Sequence, residues 1–114
     1  MLKQNVLRKK EDFSKIYNKG KSVGDRYVVI FYRKNGRSES RIAFLASKKV
    51  GNAVKRNRAR RLMKESYRQL SNKLEKGYDY IFIARNTIEK KKCGEVKRSM
   101  ESAIKKAGVY RNRG

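Results

Sequence analysis

Lys48, Lys49, Lys55, Arg56, Arg58, Arg60, Arg61, Lys64 and Arg68 crowd into the stretch SKKVGNAVKRNRARRLMKESYR, which carries a single carboxylate, Glu65. Cations gathered without a base beside them hold anions; they do not make or break bonds. Groups suited to acid–base or nucleophilic work are sparse. The chain has no histidine, the commonest general base and metal ligand. Its ten carboxylates are scattered except for Glu11 and Asp12, and adjacent helical residues do not share a face. That pair therefore makes a poor two-metal site and a good helix start. Cys93, the one cysteine, lies in KKKCGEV and reads as an inert or partly exposed thiol. Neither a P-loop nor a nucleophile elbow is present. No catalytic residue and no metal ligand is expected in the protein itself.

The cationic stretch must also fold. Turning each residue by about 100° along a helix gathers Ala59, Leu62, Met63, Ser66, Tyr67, Leu70 and Leu74 on one face. Asn57, Arg58, Arg61, Lys64 and Arg68 fall on the opposite side, and Arg60 lies at the boundary. With Asn52 as the N-cap, Lys55 and Arg56 stand at the positive end of the helix dipole. Each is disfavoured there by roughly 0.3–1 kcal/mol, and i, i+4 like charges add a few tenths. An anion at that end reverses the sign, because backbone N–H groups, dipole and cations then act on it together. KKVGNAVKRNR thus reads as a phosphate-binding helix start, with Gly51 allowing close backbone approach. A solvated basic face is the plain alternative, but such faces alternate in sign and this one does not. No helix-turn-helix, zinc-finger or basic-zipper pattern points to duplex DNA readout.

Composition agrees. Thirty-three Lys and Arg against ten Asp and Glu give +23 over 114 residues, a charge that makes the free chain self-repelling and calls for a polyanionic partner. Nothing approaches the roughly 20 consecutive apolar residues of a membrane span, and MLKQNVLRKKEDF has no apolar core of a signal peptide. A lone cysteine fits a reducing cytoplasm. Residues 1–114 are expected to form one domain, with 1–10 as a flexible basic arm.

Spacing of apolar residues gives the elements. In EDFSKIYNKG, Phe13, Ile16 and Tyr17 share a helix face and Gly20 stops it. KSVGD suggests a short strand. RYVVIFYRK reads as a strand, NGR as its turn, and RIAFLAS as its antiparallel partner. YDYIFIAR, residues 78–85, is apolar enough to lie centrally. Val96, Met100, Ala103, Ile104 and Ala107 mark a last helix ended by Gly108. This order predicts a small α/β or α+β sandwich with a helix-covered sheet. The strand–helix–strand order across the basic helix further suggests a parallel pair joined by a crossover. Aromatics interleave with the cations, as in proteins that stack single-stranded RNA bases while cations follow the backbone.

SKKVGNAVKRNRARRLMKESYR closely resembles the signature of the bacterial ribonuclease P protein subunit, whose core is an Arg-Asn-Arg element, here Arg56, Asn57 and Arg58. EDFSKIY with Gly20 resembles that family's first helix, and DYIFIAR its strand after the basic helix. The resemblance implies an αβββαβα fold, with a mostly antiparallel central sheet and a left-handed βαβ crossover, against the usual hand. It implies a subunit that joins a catalytic RNA and helps it cleave the 5′ leader from precursor tRNA, with Mg²⁺ held mainly by the RNA. By the same resemblance, Lys48, Lys49, Asn52, Lys55, Arg56, Asn57, Arg58, Arg60, Arg61, Lys64 and Arg68 face the RNA. Phe13, Tyr17, Phe31 and Tyr110 map to the leader cleft. Tyr17 and Lys64 stand where the family often has Phe and Arg. Its rivals are a structural RNA-binding protein without leader recognition and a protein-only nuclease, the latter disfavoured by the absent histidine and dispersed acids.

Overall fold

A computed structural model describes residues 6–111. The order is α1 (Lys10–Lys19), β1 (Lys21–Gly24), β2 (Val28–Lys34), β3 (Arg41–Ala46), α2 (Ala53–Leu70), β4 (Tyr78–Ala84) and α3 (Cys93–Ala107), with 3-10 turns at Ser71–Lys73 and Asn86–Ile88. This is the expected αβββαβα sequence of elements. The four strands lie in the order β1-β2-β4-β3. Strands β1 and β4 both pair antiparallel with β2, whereas β3 runs parallel to β4. The sheet is thus mostly antiparallel, and α2 is the crossover between the parallel pair.

One pairing differs from the sequence reading. RIAFLAS does not pair with β2, because β4 lies between them. The reason is burial: YDYIFIA is covered along nearly its whole length, and only an interior position in the sheet buries both faces of a strand. The Asn35 amide instead donates to the carbonyls of Gly77 (backbone N–H, 2.8 Å) and Glu39 (side chain, 3.1 Å), so the chain after β2 passes over the end of β4.

Alternation along the strands gives the sheet two different faces. Val28, Ile30, Ile42, Tyr80, Phe82 and Ala84 face α2 and α3, meeting Ala59, Met63, Tyr67, Leu70, Val96, Met100, Ala103 and Ile104 in the main core. Ala43 and Ile81 face the other way, toward Ile16 of α1 and Leu7. The two-layer description holds for α2 and α3 over the sheet; α1 adds a partial layer on the reverse side. The basic arm predicted for 1–10 lies partly outside the described residues. Within them it is corrected: Leu7 is buried and its N–H donates to the Ile42 carbonyl at 2.9 Å, beside a parallel bridge from Val6 to Ile42. An apolar side chain and a spare edge on β3 anchor these residues.

Helix ends follow their residues. Asn52 caps α2 by accepting from the Lys55 N–H at 3.0 Å, and Gly108 closes α3 at φ +77°. Gly20 stops α1 for a different reason, since its φ is an ordinary −87°. A Cβ there would lie 2.5 Å from the Ile16 carbonyl oxygen and 2.7 Å from that of Tyr32, so only glycine lets the end of α1 touch β2.

Candidate nucleic-acid interface

The core residues of α2 dictate where its cations go. Ala59, Met63, Ser66, Tyr67 and Leu70 are buried, and Leu74, beyond the helix end, is buried with them. Ser66 stays satisfied by donating to the Leu62 carbonyl at 2.8 Å. Leu62 differs from the sequence reading by being only half-buried. Asn57, Arg61, Lys64 and Arg68 consequently point to solvent.

At the start of α2 the turn at 47–51 is held by the Val50 and Gly51 N–H groups donating to the Ser47 and Lys48 carbonyls, at 3.0 and 3.1 Å. It leaves Lys48 and Lys49 exposed. Gly51 has φ +142°, and a Cβ on it would lie 2.6 Å from Cδ of Lys55. Glycine there lets the Lys55 stem fold back over the turn. The first turn of α2 contains no acid, so its unpaired N–H groups and its cations reinforce one another.

The predicted ligands are not equivalent. Lys55 Nζ is paired at 2.7 Å with Glu89, and that charge and hydrogen bond hold the Glu89 carboxyl below its ordinary pKa. Arg58 is half-buried and donates to the Lys91 carbonyl at 2.7 Å, fastening the loop before α3 to α2. Arg60 donates to the Asn57 side-chain carbonyl, so the Asn57 NH₂ is the group left to face a ligand. Arg68 pairs with Glu65 at 2.8 Å, an exposed contact of small energetic weight. Among the described residues Lys48, Lys49, Arg56, Arg61 and Lys64 form no ion pair. Sequence reasoning missed Glu89 because the partner lies on a distant loop with no local signal.

The aromatic positions divide between the two faces. Tyr17 and Phe31 meet edge to face at 5.0 Å between centroids, and Phe13 lies 6.4 Å from Tyr17. Tyr17 is 42% exposed. Beside them Leu45 and Ile83 are only half covered, so α1 and the open half of the sheet form an apolar cleft with an aromatic rim. Tyr110 does not join it. Tyr110 packs on the main core at the other side of the sheet, donates to Glu101 at 3.3 Å and lies under Lys105 Nζ at 4.9 Å. A bridge between Leu74 and Tyr110 fixes it there. Its sequence neighbours gave no information about which face it would reach.

A half-buried network centred on the buried Asp79 positions the cleft. Arg41 grips Asp79 with two hydrogen bonds, at 2.9 and 2.7 Å, and reaches Asp12 of α1 at 3.2 Å. Asn35 adds a third donor to Asp79 at 3.0 Å. Hydrogen bonding to Asp79, together with the charges of Asp79 and Asp12, raises the Arg41 pKa above its ordinary value despite burial. Asp12 thus ties the first helix to the sheet, beyond its role as a helix-start acid.

Among the described residues no three His, Cys, Asp or Glu groups converge as metal ligands do. Nor, among the described residues, is any helix long and apolar enough to cross a membrane.

Comparison with known proteins agrees with this architecture. The family model described as Ribonuclease P matches residues 1–108. The chain is 43% identical over 113 residues to the ribonuclease P protein component of Clostridium beijerinckii, covering 93% of this chain and 90% of that one. The solved RNase P protein of Staphylococcus aureus superposes with a TM-score of 0.83 at 32% identity, over 93% of this chain and 97% of the other. That of Thermotoga maritima gives 0.80 at 31%, over 88% and 94%. With its Arg-Asn-Arg helix on one face of the sheet and its aromatic cleft on the other, the chain belongs to the ribonuclease P protein family.

Proposed function

We propose that this chain is the RNA-binding protein subunit of a cytoplasmic ribonuclease P, assisting a catalytic RNA in the endonucleolytic removal of the 5′ leader from precursor tRNA. The observation that carries this is the separation of two surfaces on opposite faces of one sheet. The α2 face, with Lys48, Lys49, Arg56, Asn57, Arg61 and Lys64 free to meet phosphates, engages the catalytic RNA. The cleft of Phe13, Tyr17 and Phe31 takes the single-stranded leader, whose bases stack on aromatic rings. Lys55, Arg58, Arg60 and Arg68 shape and charge the first surface while holding protein partners of their own. Tyr110 is left out of the cleft. The scissile chemistry belongs to the RNA and the Mg²⁺ ions it holds. The protein adds binding energy for the leader and screens phosphate repulsion.

The test is precursor tRNA cleavage by a bacterial ribonuclease P RNA at low Mg²⁺, with the protein added or omitted and with leaders of several nucleotides or one. Stimulation that grows with leader length, and that Tyr17→Ala weakens without changing affinity for the catalytic RNA, is the expected result. Tight RNA binding without stimulation would instead identify a structural RNA-binding protein.

A further inference from the structure

The cationic face of α2 is not uniformly polar. Between α2 and the start of α3 runs a groove of about 540 Å³ lined by Arg58, Arg61, Leu62, Lys64, Arg68 and Cys93, with Glu65 at its side already engaged by Arg68. That volume falls within the range of small-ligand clefts, roughly 300–1,000 Å³. The half-buried Leu62 and Cys93 supply its apolar part. One wall is stiff, because Arg58 holds the Lys91 carbonyl at 2.7 Å. Arg61 and Lys64, which form no ion pair among the described residues, stand over the opening.

A face that met only the backbone of an RNA duplex would need cations and no apolar recess, because phosphates and riboses present nothing to fill one. The ligand complementary to this groove has an anionic part beside a flat, weakly polar part. We infer that the groove takes one unpaired nucleotide of the RNA, its base against Leu62 and Cys93 and its phosphate on Arg61 and Lys64. This rests on the RNA-binding reading above, extending the α2 face from a phosphate clamp to a site that distinguishes looped or single-stranded RNA from duplex.

Cys93 is the only cysteine in the chain, so a maleimide placed on it fills the groove at one defined position. The probes are a single-stranded oligoadenylate and a fully paired RNA duplex of the same length, titrated against unmodified protein, N-ethylmaleimide-modified protein and Cys93→Ser. Modification is expected to weaken oligoadenylate binding by about tenfold, the scale of roughly 55 Å² of apolar surface no longer covered, and to leave duplex binding unchanged. Cys93→Ser has no thiol, so N-ethylmaleimide treatment of that variant is expected to leave its own two affinities where they were before treatment, which assigns the loss in the parent protein to the groove. The dependence of log affinity on log salt should keep its slope on modification, because no phosphate contact is removed. Equal losses for both RNAs, or none for either, would overturn the groove inference while leaving RNA binding intact. If the unmodified protein bound neither RNA, the functional reading itself would fall. A circular-dichroism melt of the modified protein, expected to match the unmodified one, separates blocking from unfolding.

Discussion

Replacing Arg41 by methionine should destabilise the protein more than any change on its cationic surface. The Arg41 side chain is 18% exposed and that of Asp79 4%, so methionine keeps most of the packing and removes the charge partner. Breaking a buried pair from one side costs about 3–5 kcal/mol, because the remaining charge is left in a poor medium. Asn35 still donates to Asp79 at 3.0 Å, which places the expected loss near the lower end, about 3 kcal/mol. Small domains have about 5–15 kcal/mol in all, so the variant should fold with a lowered urea midpoint. Removing both partners, as Arg41→Met with Asp79→Leu, should recover most of the loss, since no unpaired charge remains. Asp12→Asn touches only the longer, 3.2 Å contact and should cost about 0.5 kcal/mol. Urea unfolding followed by far-ultraviolet circular dichroism measures the wild type, these three variants and Asp79→Leu alone. An Arg41→Met loss under about 0.5 kcal/mol, or single losses that simply add in the double variant, would refute the reasoning.

Other consequences are equally direct. Gly20→Ala should cost about 2 kcal/mol, because two backbone carbonyl oxygens must move to admit the methyl; an unchanged denaturation midpoint would contradict the close approach. The side chain of Asp25 is largely covered, which by itself raises its pKa, but Lys106 at 2.8 Å, the Arg26 N–H and the Ser102 and Ser99 hydroxyls outweigh this and hold it well below the usual carboxylate range. Stability from this site is therefore full above the unfolded carboxyl pKa and is lost as pH falls below it. Between pH 5 and 3 the wild type should lose about 1 kcal/mol more than Asp25→Asn in urea titrations. Sulfate should raise the melting temperature by occupying the start of α2, and Asn52→Ala should lower stability by about 1 kcal/mol by removing the cap on Lys55. Identical melts with and without sulfate would count against an anion site there.

Much of this molecule is written in local pattern. The amphipathic period of α2 exposed its two faces, Asn52 and Gly108 marked helix ends, and the β-branched and aromatic runs marked β2 and β4. The cationic surface was legible because it violates the preferences of a helix start, and such a violation is visible residue by residue. What stayed hidden was non-local. NGR has hairpin chemistry whether or not the next strand is the neighbour, so nothing local to β3 said that β4 would intervene. Tyr110 and the strand aromatics carry the same local signal, and only the packed sheet sorts them between its faces. The Lys55–Glu89 and Arg58–Lys91 contacts join α2 to the loop before α3, and no spacing rule reaches that far.

Strand β4 sends Tyr80 and Phe82 toward α2 and α3, and Ile81 toward α1. A single stretch of backbone therefore sets the position of both surfaces at once. A substitution in it that shifts the cationic helix also shifts the aromatic cleft, so neither surface can be tuned alone from the middle of the sheet. Change in either surface has to proceed at the periphery, in the exposed residues of α1 and α2, while the strand between them acts as a shared axle.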